Sequence, residues 1–201
     1  MIFLGDLYTL GSWRLSNKTN YKVNYKFSGN FSLDYASLVE DEIRESPSFS
    51  VVWTHTQAPE ANRLGNFGAN VNFQTSGHNR KNAESMNDYL KPSISSSITY
   101  SKSLFKVANL TISALHNQNL TDSVISLSIP NVAFSASSLT PFKRKKSTGK
   151  TRWYEDIRVG YSFDGQNRLN NVKMDSTFYT KSTLEKFQKG VNHSIPISTT
   201  F

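Results

Sequence analysis

Tyr21-Lys22-Val23-Asn24-Tyr25-Lys26-Phe27-Ser28-Gly29-Asn30-Phe31-Ser32-Leu33-Asp34-Tyr35 is the stretch that decides the fold class. Every odd position except Gly29 is apolar or aromatic, and every even position is polar or charged. A period of two sets one face in an apolar medium and the other in water, which only an extended strand does. A half-buried strand of an ordinary sheet runs about five or six residues, and one crossing a bilayer at a tilt of roughly 45° needs about nine to eleven. The stretch exceeds both and carries a tyrosine at each end, the residue type favoured where hydrocarbon meets headgroups. It is read as one transmembrane β-strand over 21–35.

Working outward, period-two segments give eleven strands, near 6–16, 21–35, 49–57, 67–76, 93–101, 107–117, 122–129, 132–139, 156–164, 168–178 and 193–201. The connections between them alternate between short (17–20, 58–66, 102–106, 130–131, 165–167) and long (36–48, 77–92, 140–155, 179–192), with 118–121 as the exception. Outer-membrane barrels have short periplasmic turns and longer extracellular loops. The expectation is an all-β, antiparallel up-and-down meander of about eleven strands, a partial transmembrane β-barrel, with the long connections outside. A helical turn is expected within 77–92 and at Ser182 to Gln188. No linker or composition shift divides 1–201, so it reads as a single unit. Eleven is odd, bacterial single-chain barrels have even strand numbers, and no secretory signal opens the chain; the unit is therefore expected to be a fragment of a larger outer-membrane β-barrel domain.

The 201 residues are 37% hydrophobic with a mean hydropathy of −0.48. No apolar run reaches even ten residues, which rules out a transmembrane helix. Such a hydropathy is compatible with a membrane barrel, whose strands are only half apolar. The absence of cysteine excludes disulfides and thiolate metal sites.

Candidate functional residues fall in two groups. The even positions Lys22, Asn24, Lys26, Ser28, Asn30, Ser32 and Asp34 are expected to face a polar lumen, while Tyr21, Val23, Tyr25, Phe27, Phe31, Leu33 and Tyr35 face lipid. Lys143, Arg144, Lys145, Lys146, Lys150 and Arg152 crowd one connection of a chain whose formal charge is +8. Such cations suit phosphates, which a guanidinium takes bidentately. A nucleic-acid site would need charge spread over a surface with stacking aromatics, so no nucleic-acid partner is expected. Ser147 to Thr151 resembles the end of a phosphate-binding loop, but Arg144 stands where that motif needs glycine. His55, His78, His116 and His193 show no metal-ligand spacing; the first, third and fourth fall on the apolar face near strand ends. No catalytic residue, cofactor or metal is expected. A porin-like channel or barrel lipid hydrolase is the alternative, and a soluble β-sandwich adhesin a further one.

Five blocks in order carry a resemblance. They are Asn79-Arg80 to Asn87-Asp88-Tyr89-Leu90 with Ser95 to Lys102; His116-Asn117-Gln118-Asn119; Val124 to Pro130; Pro141-Phe142-Lys143-Arg144-Lys145 with Gly149-Lys150 and Arg152-Trp153-Tyr154-Glu155; and Gly190 to Ser198. Together they resemble the LptD-like outer-membrane proteins of Bacteroidota-type bacteria. That resemblance implies a non-enzymatic barrel segment that delivers lipopolysaccharide to the cell surface. It further implies location in the cell outer membrane, contact with lipopolysaccharide and membrane lipid, and partnership with a plug lipoprotein and periplasmic transport components.

Overall fold

The computed structural model describes residues 1–8, 11–40, 43–44, 47–61, 65–75, 77–78, 82, 86–104, 107–144, 152–173, 178 and 180–199. The alternating segments form β1 (Ile2–Leu7), β2 (Trp13–Val23), β3 (Phe27–Ser37), β4 (Val39–Glu40), β5 (Ile43–Arg44), β6 (Ser48–Gln57), β7 (Asn66–Gln74), β8 (Ser93–Leu104), β9 (Ala108–Asn119), β10 (Val124–Leu139), β11 (Arg158–Lys173), β12 (Gln188–Ser194) and β13 (Ile197–Ser198). β4 and β5 pair only with each other. The other eleven strands make one antiparallel sheet in chain order from β1 to β12, and β13 pairs with β11 just beyond the end of β12. Short helical turns at Met86–Tyr89 and Lys181–Glu185 sit in the two connections where a helical turn was expected. The sheet is not closed: β1 and β12 are its edges, and the described residues show no pairing between them.

Among the described residues no second layer covers this sheet. Of its described apolar residues only Ala36, Ala69, Ile94, Ala108, Ile125 and Leu169 are buried, while Leu33 is 39% and Leu15 56% exposed. A soluble sandwich would bury such side chains between two packed sheets. Strands β2, β3 and β6 to β11 run from 9 to 16 residues.

Six expected boundaries are corrected. The stretch 21–35 is a hairpin: β2 ends at Val23, a turn fills 24–26 with Lys26 N–H donating to Val23 O, and β3 begins at Phe27. Val23 stands opposite Phe27, Tyr21 opposite Gly29 and Leu15 opposite Tyr35. A three-residue turn thus returns the odd positions to the same face, and period two cannot register the reversal. The turn expected at 17–20 lies inside β2, and the strand expected over 6–16 is divided between β1 and β2.

The turn expected at 130–131 is a β-bulge inside the 16-residue β10. Ser128 faces Leu115 and Asn131 faces Ser113, so Ile129 and Pro130 together oppose Ala114. The extra residue lets a strand pass a proline with no N–H to give. In the same way 165–167 lies inside the 16-residue β11. Finally, 193–201 takes in only the end of β12, which starts at Gln188, and the two-residue β13, with Thr200 and Phe201 outside the described residues.

These corrections reassign one connection. Counting reversals, 24–26, 58–65, 105–107 and 140–157 lie at one end of the sheet, and 8–12, 38–47, 75–92, 120–123 and 174–187 at the other. The basic connection therefore sits with the short turns, opposite the end shared by 38–47 and 75–92. The false turn at 130–131 had inverted it.

Candidate functional site

The register sorts side chains into two faces. On the apolar face Phe27 opposes Gln57, Phe31 opposes Trp53, Leu33 opposes Val51 and Tyr35 opposes Phe49. Val51 in turn opposes Phe73, and Val132 and Phe134 oppose Ile112 and Leu110. Aromatic rings gather in two bands along this face. At the short-turn end Tyr21, Phe27, His55 and Phe67 touch in sequence, with centroids 5.3–6.1 Å apart. At the opposite end Trp13 stacks on Tyr35 at 5.4 Å, and Phe49 meets Phe73 at 5.7 Å.

Tyr21 reaches its neighbours because Gly29 lies beneath its ring; a Cβ there would strike both the Tyr21 ring and the Thr54 carbonyl oxygen. The Tyr21 hydroxyl accepts from Trp53 Nε1 at 2.8 Å, lies 3.2 Å from the Thr54 carbonyl and 2.9 Å from His55 Nδ1. His193 repeats the arrangement with the Tyr161 hydroxyl, 2.9 Å from its Nδ1. His55, His116 and His193 all fall on the apolar face, as expected from the sequence.

The polar face is built from hydroxyls and amides. Along β8 it presents Ser93, Ser95, Ser97, Thr99, Ser101 and Ser103, opposite Asn119, Asn117, Leu115, Ser113, Thr111 and Asn109 of β9. A groove of about 470 Å³ runs over β8 to β11, and its walls include Ser95, Ser97, Asn117, Ser126, Ser128, Asn131 and Asn170. Arg168 is the one charged side chain in that lining.

Of the residues singled out in the sequence, Lys22, Ser28, Asn30 and Ser32 lie on this face. Asn24 and Lys26 do not; they are in the 24–26 turn, as is Tyr25, which takes φ 62°. Asp34 makes an ion pair with Arg14 at 3.2 Å, both nearly buried.

Over that ion pair folds part of the 75–92 connection, whose involvement nothing in the alternation signalled. His78 is buried with Nδ1 3.3 Å from Ser48 Oγ, and Asn82 Nδ2 donates to Ser48 Oγ and to the His78 carbonyl. Ser48 opposes Ala36 on the face that carries Asp34 and Arg14. Burial pushes the His78 imidazole below its ordinary value, with Asp34 raising it and Arg14 lowering it further.

The described part of the basic connection is partly self-neutralised. Arg144 forms an ion pair with the buried Glu155, and Arg152 donates to the Tyr154 hydroxyl at 3.1 Å. Lys143 is exposed. Lys145, Lys146 and Lys150 lie outside the described residues.

Two Ser–His contacts occur among the described residues. Ser48 and His78 are both buried, and Asn82 already donates to the serine oxygen. Ser96 gives its hydroxyl proton to the Asn72 carbonyl, not to His116. Neither is arranged as an accessible nucleophile with its base. Among the described residues no three His, Asp or Glu side chains converge to hold a metal ion, and no helix is long and apolar enough to cross a membrane.

Compared with known proteins, residues 1–201 match the family model described as LptD protein. No curated protein and no solved structure matches the chain.

Proposed function

We propose that this chain, which belongs to the LptD protein family, is one arc of the wall of an outer-membrane β-barrel that carries lipopolysaccharide to the cell surface. The observation that carries the proposal is a single uncovered sheet with one apolar and one hydroxyl-and-amide face. A large exposed apolar face on a soluble monomer is an interaction surface; here its rings form two bands. Trp13 and Tyr21 are eight residues apart on β2, about 26 Å of strand and about 20 Å of height at a tilt of about 40°. That separation suits an apolar band bounded by aromatic girdles. The chain is of the Bacteroidota type that its sequence blocks resemble, and it acts without catalysis.

On this reading the apolar face meets lipid and the polar face lines a wet passage for the glycan. Lys22, Ser28, Asn30 and Ser32 belong to that passage, and the groove containing Arg168 is a recess in it. Short turns are periplasmic in outer-membrane barrels, so the end with 24–26 and 105–107 is assigned to the periplasm. The basic connection then meets phosphates where cargo arrives, through Lys143, Lys145, Lys146, Lys150 and Arg152, with Arg144 holding the loop base through Glu155. A plug lipoprotein and periplasmic transport components complete the assembly.

A photoreactive amino acid at Ser97 or Asn117 in the full-length protein is expected to capture lipopolysaccharide in cells, and one at Ile112 is not. Capture from Ile112 alone would reverse the facing. Capture from none, with ions or small solutes passing through the reconstituted protein, would favour the porin-like reading.

A further inference from the structure

The apolar face continues past the Tyr161–His193 pair toward the short-turn end. Its next row is Leu139, Val159 and Ile197, paired across β10, β11 and β13. Leu139 is exposed and Ile197 is 68% exposed. Val159 lies two residues from Tyr161 along β11, about 6.6 Å of strand and about 5 Å of height at a tilt of about 40°. If the Tyr161–His193 pair marks the edge of the hydrocarbon, this row lies among the lipid headgroups.

The 140–157 connection adds two large rings beside that row. Its two described arms are joined by the ion pair between Arg144 and the buried Glu155. Phe142 stands two residues before Arg144, and Trp153 two residues before Glu155. Phe142 is exposed and Trp153 is 64% exposed. Thr199, two residues after Ile197, donates its hydroxyl to the Trp153 carbonyl at 3.4 Å, which ties the Trp153–Asp156 turn to the end of β13. Trp153 meets Tyr154 edge-on at 6.0 Å. Each ring has an exposed cation next to it in the chain, Lys143 after Phe142 and Arg152 before Trp153. The Glu155 charge is held inward on Arg144 and is withheld from the surface that carries those cations.

An exposed apolar patch with a polar rim marks an interaction site. Tryptophan and phenylalanine beside lysine and arginine suit the boundary of a bilayer, where the rings enter the apolar layer and the cations reach phosphate. Lipid is favoured over a protein partner because the patch continues, without a break, a face already assigned to lipid. We propose that the two described arms of the 140–157 connection form a foot embedded in the phospholipid leaflet at the short-turn end. Phe142 and Trp153 enter that leaflet, and Lys143 and Arg152 meet its phosphates. The proposal rests on the reading that the apolar face meets lipid, and it adds a connection that anchors the wall from outside its strands.

The test uses the full-length protein reconstituted into vesicles of phosphatidylethanolamine and phosphatidylglycerol. Photoreactive p-benzoylphenylalanine replaces, in separate variants, Trp153, Ile112 on the apolar face, and Arg158, which opposes Ser198 on the polar face. Lipid adducts are expected from the probes at 153 and 112, and few or none from the probe at 158. A second readout leaves Trp153 in place. The chain has no cysteine, so Phe142→Cys, in a full-length protein without other cysteines, takes one nitroxide at this site. Its accessibility to oxygen should place it about 5–10 Å into the boundary of headgroups and acyl chains. Protein adducts from the probe at 153, to this chain or to another, with the nitroxide in water, overturn the proposal. Lipid captured at 112 and not at 153 also overturns it and leaves the lipid-facing reading intact. Lipid captured at neither position overturns both.

Discussion

At the β2–β3 turn the chain reverses direction and its side chains stay in phase; at the bulge of β10 it keeps its direction and its side chains slip by one. In the first case Asn24, Tyr25 and Lys26 form a loop of odd length, so Val23 and Phe27 meet on one face. In the second, Ile129 and Pro130 share the place of one residue, so Asn131 meets Ser113 on the polar face and Val132 meets Ile112 on the apolar face. Both devices reach the same end by opposite means. What this sheet holds fixed is the facing of each side chain, and chain direction is arranged around it.

Deletions test that statement most severely. Removing Ser32 from the middle of β3 puts every residue on one side of the cut on the wrong face, and is expected to abolish the folded species seen as heat-modifiable mobility on gels. Removing Pro130 only erases the bulge, leaves Asn131 and Val132 facing as before, and is expected to leave that species in place. Equal loss from both deletions would break the comparison.

Charge probes the two faces at single positions. Phe31→Arg should cost about 2–4 kcal/mol, the penalty of a cation near the middle of a lipid-facing strand, in urea titrations of the protein folded into vesicles. Ser32→Arg, one residue on and on the polar face, should cost far less. Smaller again is the contrast between two glycines. Gly29→Ala drives a methyl into the Thr54 carbonyl and the Tyr21 ring and should cost about 1–3 kcal/mol, as overpacking does. Gly68→Ala meets nothing nearer than the His55 carbonyl oxygen at 3.9 Å and should be close to neutral by the same titration.

The smallest effect concerns the 75–92 connection. His78 is held neutral by burial, so its docked pKa is below the ordinary value of 6.5. As pH falls through that ordinary value the undocked loop takes the proton first, so docking weakens below about pH 6.5 and levels off once the docked ring also protonates. Protection of the Met86 to Leu90 amides, taken as exchange relative to the unstructured rate at each pH, should therefore fall between pH 7.5 and 5.5, by at most a few-fold. His78→Asn should remove the pH dependence.

Facing was legible from residue types alone, because Phe31, Leu33 and Trp53 against Asn30, Ser32 and Thr54 is a two-state code read one residue at a time. Turns were legible only where they disturbed that code. The 24–26 turn is invisible for this reason, and Pro130-Asn131 was misread because proline and asparagine favour turns yet here occupy a bulge. Nothing in composition pointed to Arg14, His78 or Arg168 as members of the polar face. Arg14 is placed by a cross-strand partner, His78 by a loop that folds back over β3 and β6, and Arg168 by the continuation of β11 through an expected turn.

The row of hydroxyls along β8 bears on friction. On the proposed reading Ser93, Ser95, Ser97, Thr99, Ser101 and Ser103 would each exchange a hydrogen bond with water for one with a sugar at little net free energy, and the repeat of two residues sets successive partners about 6.6 Å apart. A saccharide moving along such a ladder finds a series of shallow, nearly equal wells. Transit through a selective pore requires contacts weak enough to leave, and an uncharged rail supplies that where a row of carboxylates or cations would hold its cargo fast.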